Sequence, residues 1–537
     1  MPGITLNLTW PGRHAGQTTT AEAAAVAATV PVAPAVAALG QPAQAPRAGY
    51  GGTTSPTHPP LSSSPDSAVL ASESRALTTS PLHATAYPLA TRDLVVPELG
   101  TVGCIIPAYN EGATIAGTLD SLLEQSRPPE SIYVIVNNST DDTFWQAKRY
   151  EGSHVTLHQD TEHVVEVHVV DIGKNSAKKV GALNKGWELA REHDFIFGVD
   201  GDVRLDQRCL EYLRAEMMDD SRIGGISAIY SIDAHQASGP MAWFLLSAQR
   251  NQFAGFNMDN LLRNRNMAVL GGQASLFRGR ALDALMSRYH QSHPWTTDSE
   301  VEDSLLSLQV RDVGFSTKIS ALARAYVGGM ATGASLYAQQ VKWTAGGIEL
   351  MRQRPFHPNL RLRWRENIAM LFNIIVRIMF ALLLAGSLAM AAFAPHPIWL
   401  VPPITALALN LRITAAMKDR TWRDWLFAGL FFPTEAYMWM RGLYFVVSWW
   451  QVMNKVEKDN WSAQAKAESG GGSAGWIWVV LGIGAIGGLA WFTWTNLSDA
   501  VRSDLLTWGW LSLAILSILL TLGMLKKLVR KHRGFHA

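Results

Sequence analysis

The chain has 537 residues, too many for one small domain and enough for two or three units. Lys plus Arg number 46 against 44 Asp plus Glu, and this net charge of +2 excludes a general nucleic-acid binder, which carries a large basic excess. Charged residues make up only 17%, and the two cysteines, Cys104 and Cys209, exclude a disulfide scaffold and a Cys-rich zinc module.

Residues 1–94 are mostly Ala, Thr, Ser, Pro and Gly, with six charged and three aromatic residues up to position 90. Such a segment buries too little apolar surface to offset its ordering entropy, and it reads as disordered. The Ala/Val run 21–40 is broken by Pro31 and Pro34 and lacks a basic start, so it is a weak match to a secretory signal.

From 95 to 360 the pattern is that of an α/β domain. The first strand, 102–106, runs into Pro107-Ala108-Tyr109-Asn110-Glu111. A polar loop at the carboxyl end of a buried parallel strand stands where open α/β sheets bind ligands. The same residues also read as a plain turn, with Asn110 or Thr114 capping a helix over 113–125. That helix carries Ile115, Leu119, Leu122 and Leu123 on one face. The second strand, 132–136, ends in Asn137-Asn138-Ser139-Thr140-Asp141-Asp142-Thr143, again a carboxyl-edge loop or an Asx turn with a helix cap. A third strand covers 164–170. The run from Gly173 through Lys174, Lys178 and Lys179 opens a helix over 177–192, either as a phosphate-facing start or as a solvated basic turn. It is not a P-loop, because the required order is absent.

The strand 195–199 runs into Asp200-Gly201-Asp202. Two carboxylates at a strand end suit a hard divalent cation completed by phosphate oxygens, although a lone pair of this spacing also reads as an acidic turn. Glu302 and Asp303 precede a helical pattern, where a carboxylate serves as a base or simply complements the helix dipole. Gln339-Gln340-Val341-Lys342-Trp343 offers a Trp face for stacking on a sugar, or else an ordinary amphipathic helix. Strands alternating with helices imply a largely parallel sheet covered on both faces.

Beyond 361 the chain turns apolar. Residues 476–494 and 505–525 carry no charge, and at about 1.5 Å per residue each can cross a hydrocarbon core of about 30 Å. Residues 368–394 are interrupted only by Asn373 and Arg377, and 398–411 form a shorter return. Residues 425–452 are aromatic but hold Pro433, Glu435 and Arg441. Basic residues cluster after 411 and in the tail, at Lys526, Lys527, Arg530, Lys531 and Arg533. Four spans place the α/β domain and this tail together in the cytoplasm, whereas a fifth would put the tail outside. The expectation is a multi-pass cell-membrane protein of about four spans. Residues 361–455 hold spans and an interfacial helix, 456–475 a linker, 476–526 a transmembrane hairpin and 527–537 a basic tail.

In this order and spacing the motifs resemble the family 2 glycosyltransferases of GT-A fold. More closely they are similar to the membrane-embedded processive synthases of cellulose, chitin, hyaluronan and poly-N-acetylglucosamine. The resemblance covers about 100–350 by motif and 366–455 by layout. It implies a GT-A domain, a nucleotide-diphospho-sugar transferase with a Rossmann-like mixed sheet, followed by an α-helical transmembrane region. On this match Pro107, Ala108, Tyr109, Asn110 and Glu111 receive the nucleotide, and Asn138 stands where an acidic residue contacts uracil. Lys178 approaches the nucleotide or its phosphates. Asp200 and Asp202 hold Mg²⁺ or Mn²⁺, with Asp202 the direct ligand. Gly272 and Gln273 lie near the acceptor. Glu302 and Asp303 end a T-E-D motif, with Val301 in place of Thr and Asp303 as the base. Gln339, Gln340, Lys342 and Trp343 match Q-[QR]-x-R-W, with Lys replacing Arg and losing its bidentate fork.

The resemblance implies an inverting transfer from a nucleotide sugar, with UDP expected, to a growing membrane-associated polysaccharide, processive and coupled to export. The enzyme class is a family 2 hexosyltransferase or N-acetylhexosaminyltransferase. Its partners are a nucleotide-sugar donor, a polysaccharide or lipid-linked acceptor and the bilayer, with no nucleic acid. Two alternatives stand beside it: a non-processive membrane glycosyltransferase acting on a lipid or protein, and a non-catalytic scaffold with a degenerate GT-A domain.

Overall fold

A computed structural model describes residues 100–158, 160–233, 239–263, 266–297, 299, 301–456 and 475–530, without the side chains of 475–483 and 486. The segment 1–94 lies outside these residues, as do 457–474 of the expected linker and 531–537 of the expected tail.

The described strands form one sheet: β1 (Val102–Ala108), β2 (Ser131–Val136), β3 (Gly152–His158), β4 (Thr161–Asp171), β5 (Phe195–Val199), β6 (Arg204–Leu205), β7 (Ile223–Ile232), β8 (Ala274–Arg278) and β9 (Ser316–Val327). Their order is β3-β4-β2-β1-β5-β8-β7-β9-β6. The half β4-β2-β1-β5 is parallel. The other half is mixed: β8 runs antiparallel to β5 and β7, while β9 is parallel to β7. The largely parallel sheet implied by the alternation of elements therefore holds for only half of it. The strands that turn it mixed hide their signal, because β7 carries Gly224, Gly225, Ser227 and Ser231 among its apolar residues.

Successive side chains of a strand face opposite sides, and β1 shows the consequence. Cys104 and Ile106 pack with Ile115, Leu119 and Leu122 of α1 (Ile115–Leu123). Ile105, between them, packs with Val180, Leu183 and Trp187 of α3 (Lys178–Ala190) on the other face. The first face is completed by α2 (Thr143–Lys148) and α4 (Cys209–Asp219), and the second by α6 (Gly279–Tyr289) and α7 (Glu302–Asp312). Ile105, Ile106 and Phe197 are fully buried, each worth about 1.5–3 kcal/mol. Both cysteines are free and buried, and burial pushes their thiols up.

Two long helices, α5 (Gly239–Arg263) and α8 (Gly333–Gln353), lie between the sheet and the apolar helices. These are α9 (Arg361–Ala389), α10 (Val401–Ala416), α11 (Trp422–Gly429), α12 (Phe431–Met453), α13 (Gly475–Thr495) and α14 (Asp499–Val529). Among the described residues, Pro358–Ala389, Pro397–Ala416 and Asp499–Val529 are long and apolar enough to cross a membrane. Leu371, Phe372, Leu382 and Leu388 of α9, with Leu511, Ile515, Leu519 and Leu522 of α14, are exposed. An apolar surface of this length belongs in a bilayer, and the protein is a membrane protein. The fourth expected span, 476–494, folds as α13.

The segment 425–452 is not a single helix. It breaks at Leu430 into α11, opened by a Thr421/Asp424 capping box, and α12. The helix α12 runs antiparallel to α9: Glu435 pairs with Arg377 (2.5 Å), Gly442 meets Ile374, and Trp449 meets Trp364. At the end of α14, Lys527 bonds Asp259 (2.6 Å) and Arg530 donates to the Leu262 carbonyl, so the apolar helices leave the sheet domain and return to it.

Candidate active site

The carboxyl ends of β1, β2 and β5, the start of α3, the start of α7 and one face of α8 surround a cavity of about 510 Å³. The β1 loop reaches it through Pro107, Tyr109 and Glu111, and the β2 loop through Asn138. Lys178, Asp200, Asp202, Gly272, Gln273, Glu302 and Asp303 line it, as do Gln339, Lys342 and Trp343. Three expected residues do not line it. Ala108 is a fully buried strand residue. Asn110 turns away to accept from the Thr140 amide (2.8 Å). Gln340 is buried beside α5, where Gln252 Nε2 donates to its Oε1 (3.3 Å) and Tyr437 donates to Gln252 Oε1 (2.5 Å).

Asn138 lines the cavity, yet its amide is already engaged. Its Nδ2 donates to the Asn175 carbonyl (2.9 Å), its Oδ1 accepts from the Asn175 amide (2.8 Å), and its own N–H donates to the Gly173 carbonyl (2.9 Å). The residue staples the β2 loop to the α3 loop. Asn110, Asn138 and Lys178 are three of the eight described non-glycine residues with positive φ (55°, 54° and 51°), a conformation held only by surrounding structure.

The central cation is Lys179, one residue beyond the lysine expected from the sequence. Its Nζ lies 2.5 Å from Asp200 and 3.7 Å from Glu302. Burial pulls its ammonium down, but Asp200, Glu302 and Asp303 together hold it above the ordinary lysine range. A signal was available: Lys179 precedes Leu183 by four and Gly186 by seven, so it continues the inward stripe of α3. A Cβ on Gly272 would stand 3.0 Å from Lys179 Nζ and 3.5 Å from both Asp200 oxygens, so a larger residue there would make the lysine head shift.

Asp303 sits in the first turn of α7, where the Ser304 N–H donates to its Oδ1 (2.6 Å). Burial and then the neighbouring Glu302 push its carboxyl up to about 6, against the opposing pull of Lys179. Lys342 is buried on α8, and burial pushes its ammonium down to about 7, with Glu302 opposing and Lys179 assisting. Trp343 packs edge-on against Phe253 of α5 (6.3 Å between centroids).

Whether the carboxylates suit a divalent cation can be read from their surroundings. Among the described residues no group of three or more His, Cys, Asp or Glu could hold a metal by itself. Asp200 and Asp202 nevertheless supply hard oxygens facing the cavity, and a Cβ at Gly272 or Gly328 would come into contact with them at 3.5 Å, so these glycines keep the space beside the carboxylates clear of side chains. Two carboxylates with space for phosphate oxygens fit Mg²⁺ or Mn²⁺.

Residues 104–286 match the sequence model of the family described as Glycosyl transferase family 2. The matched segment runs from β1 into α6, and the chain there folds as a GT-A-like mixed-sheet domain that is followed by apolar helices. The chain resembles polysaccharide synthases. It is 23% identical over 292 residues to a poly-beta-1,6-N-acetyl-D-glucosamine synthase of Staphylococcus aureus, covering 54% of this chain and 64% of that protein. The chain thus spans just under two thirds of this relative's length. The Staphylococcus epidermidis synthase is 22% identical over 363 residues, covering 67% of this chain and 76% of that one. Among solved structures, the mannosyltransferase PcManGT from Pyrobaculum calidifontis, in complex with GDP-Man and Mn²⁺, aligns at a TM-score of 0.42 and 17% identity, covering 67% of this chain and 88% of that chain. Staphylococcus aureus TarS 1–349 in complex with UDP-GlcNAc aligns at 0.29 and 15%, covering 46% and 66%.

Proposed function

We propose that the chain is an inverting, metal-dependent N-acetylhexosaminyltransferase that extends a membrane-associated polysaccharide from a UDP-sugar. One observation carries this reading: a single cavity holds Lys179, Asp200 and Asp202 beside Asp303 and Trp343. Diphosphate-binding and acceptor-activating groups thus face one space. Asp200 and Asp202 would hold Mg²⁺ or Mn²⁺, which when bound neutralises charge on the leaving diphosphate. Lys179 and Lys342 add positive charge on the same side. Asp303 takes the proton from the acceptor hydroxyl as that oxygen attacks the anomeric carbon. No nucleophilic side chain is required, so one displacement inverts the anomeric centre. Trp343 and Phe253 give the terminal acceptor sugar an aromatic wall, and the apolar helices carry the chain outward from a cytoplasmic sheet domain.

The test supplies the purified full chain in lipid with a panel of UDP-sugars and Mg²⁺ or Mn²⁺. UDP release is followed and the product is sized. UDP-GlcNAc gives release and a long product, and chelation stops both. Release with only single-sugar products would remove processivity, and no release with any donor would sink the enzymatic reading.

A pH profile follows from the two shifted groups. Asp303 accepts a proton only when ionised, so the rate rises as pH passes about 6. Lys342 is a cation only below about 7, so donor binding weakens above that value. The expected profile is narrow, with its maximum between these limits. Lys342→Arg removes the alkaline fall, because guanidinium stays charged. Initial rates from pH 5 to 9 for both proteins check this, and an unchanged alkaline limb in the variant would refute the role of Lys342.

A further inference from the structure

Between α8 and α9 the chain makes a turn, Arg354-Pro355-Phe356-His357-Pro358, that faces two ways. Phe356 is 97% exposed, although the turn around it is well held. Trp364 Nε1 donates to the Pro355 carbonyl (3.0 Å), fixing the turn beside the start of α9. Most neighbouring charges are engaged. Arg352 pairs with Glu349, Arg354 lies over Tyr289, and Glu366 pairs with Arg263. Arg361 and Arg365 are exposed and have no ion pair or hydrogen bond among the described residues. Four apart on α9, they share one face.

Their depth is informative. Exposed apolar residues of α9 begin at Ile368. At about 1.5 Å per residue, Arg365 stands about 5 Å and Arg361 about 10 Å before it. The polar layer of a bilayer is about 5–8 Å thick on each side of a core of about 30 Å. Arg365 therefore falls within this layer once α9 is inserted, and Arg361 stands just outside it, where its long side chain can reach back to the phosphates; the exposed Phe356 belongs to the turn that precedes them.

We propose that Phe356, Arg361 and Arg365 form a binding surface for anionic phospholipid headgroups in the leaflet that faces the sheet domain. Continuity with a membrane helix and charge complementarity select this occupant. A guanidinium recognises a phosphate diester, and in an anionic lipid no headgroup cation offsets that charge, as choline does in phosphatidylcholine.

The same turns also grip the helix that carries Asp303. Arg363, between the two outward arginines, donates to Ser304 Oγ (3.1 Å). Arg311 of α7 donates to the Asn359 carbonyl (3.0 Å), while Asn359 and His357 both reach Asp312 (2.6 and 3.1 Å). Headgroups held by Arg361 and Arg365 thereby steady the segment that clasps α7 at both ends. Anionic lipid is expected to raise the thermal stability of the protein through this contact.

The inference rests on α9 entering a bilayer and is independent of the reaction proposed above, so its readout is lipid binding. The full chain is reconstituted in phosphatidylcholine with or without phosphatidylglycerol, and retained lipid is counted by native mass spectrometry. The wild type retains phosphatidylglycerol in preference. The double variant Arg361→Gln/Arg365→Gln loses on the order of 30-fold in that preference, about fivefold for each arginine. Arg361→Lys/Arg365→Lys keeps it, and Phe356→Ser weakens retention of both lipids. Arg191→Gln, at an exposed site on the sheet domain, changes nothing. Equal phosphatidylglycerol retention by the wild type and the double Gln variant would overturn the proposal, as would equal retention of the two lipids by the wild type.

Discussion

Asp303→Asn leaves the protein folded and lowers glycosyl transfer by about 10²–10⁴-fold, the range lost with a general base. The substitution is nearly isosteric, and the amide oxygen still accepts from the Ser304 N–H that now bonds Asp303 Oδ1. Only the ability to take a proton disappears. Donor binding changes little, because the diphosphate-side groups Lys179 and Asp200 remain paired. The loss therefore falls on kcat rather than on KM for the donor. Glu302→Gln is the comparison. Glu302 is buried and 3.7 Å from Lys179, so its loss shifts local charge without removing the base. UDP release and melting temperature measured on both variants decide the matter. A fully active Asp303→Asn protein would show that the base lies elsewhere.

Arg250→Met destabilises the protein by about 3–5 kcal/mol, the cost of leaving one member of a buried ion pair alone. Arg250 and Asp424 are 6% and 3% exposed and meet at 2.9 and 3.1 Å. The same guanidinium donates to the carbonyls of Ile232 and Asp419 (the latter at 2.5 Å). It joins α5 of the sheet domain to the segment that opens α11. Ile232 also lines the cavity, so activity falls together with stability. The double variant Arg250→Met/Asp424→Leu recovers much of the stability, since no buried charge is left unpaired. Thermal unfolding of the three proteins in one detergent checks this. A double variant no better than Arg250→Met would assign the loss to the carbonyl bonds instead.

The parallel half of the sheet can be read directly from the chain. The apolar run 195–199 coincides with β5, and 132–136 differs from β2 by one residue. Apolar strands buried on both faces announce themselves. The mixed half does not, because Gly, Ser and Thr in β7 and β9 interrupt any regular pattern and only tertiary pairing makes them strands. Asp200, Asp202, Glu302 and Asp303 are legible as site candidates because each follows a strand or opens a helix. Both Lys178 and Lys179 line the cavity, and what singles out Lys179 in the sequence is the inward stripe it shares with Leu183 and Gly186. Ile232, Gln249, Phe253 and Met330 reach the cavity only through the packing of α5 and the end of β7 and β9. The break at Leu430 falls between Gly429 and Pro433 inside an apolar stretch that reads equally as one helix, and the capping box at Thr421 marks only where α11 starts.

The Asn138–Asn175 staple bears on how fast the cavity can fill. Two loops that would otherwise sample many shapes are joined by a pair of opposed hydrogen bonds, and two left-handed residues that line the cavity, Asn138 and Lys178, are already held in place. The entropy lost in shaping that wall is therefore spent during folding, not at each encounter with a ligand. Arrival should approach the rate set by diffusion and charge, with little waiting for the wall to rearrange. An Asn138→Ala wall would still exist, but it would have to be rebuilt at every turnover.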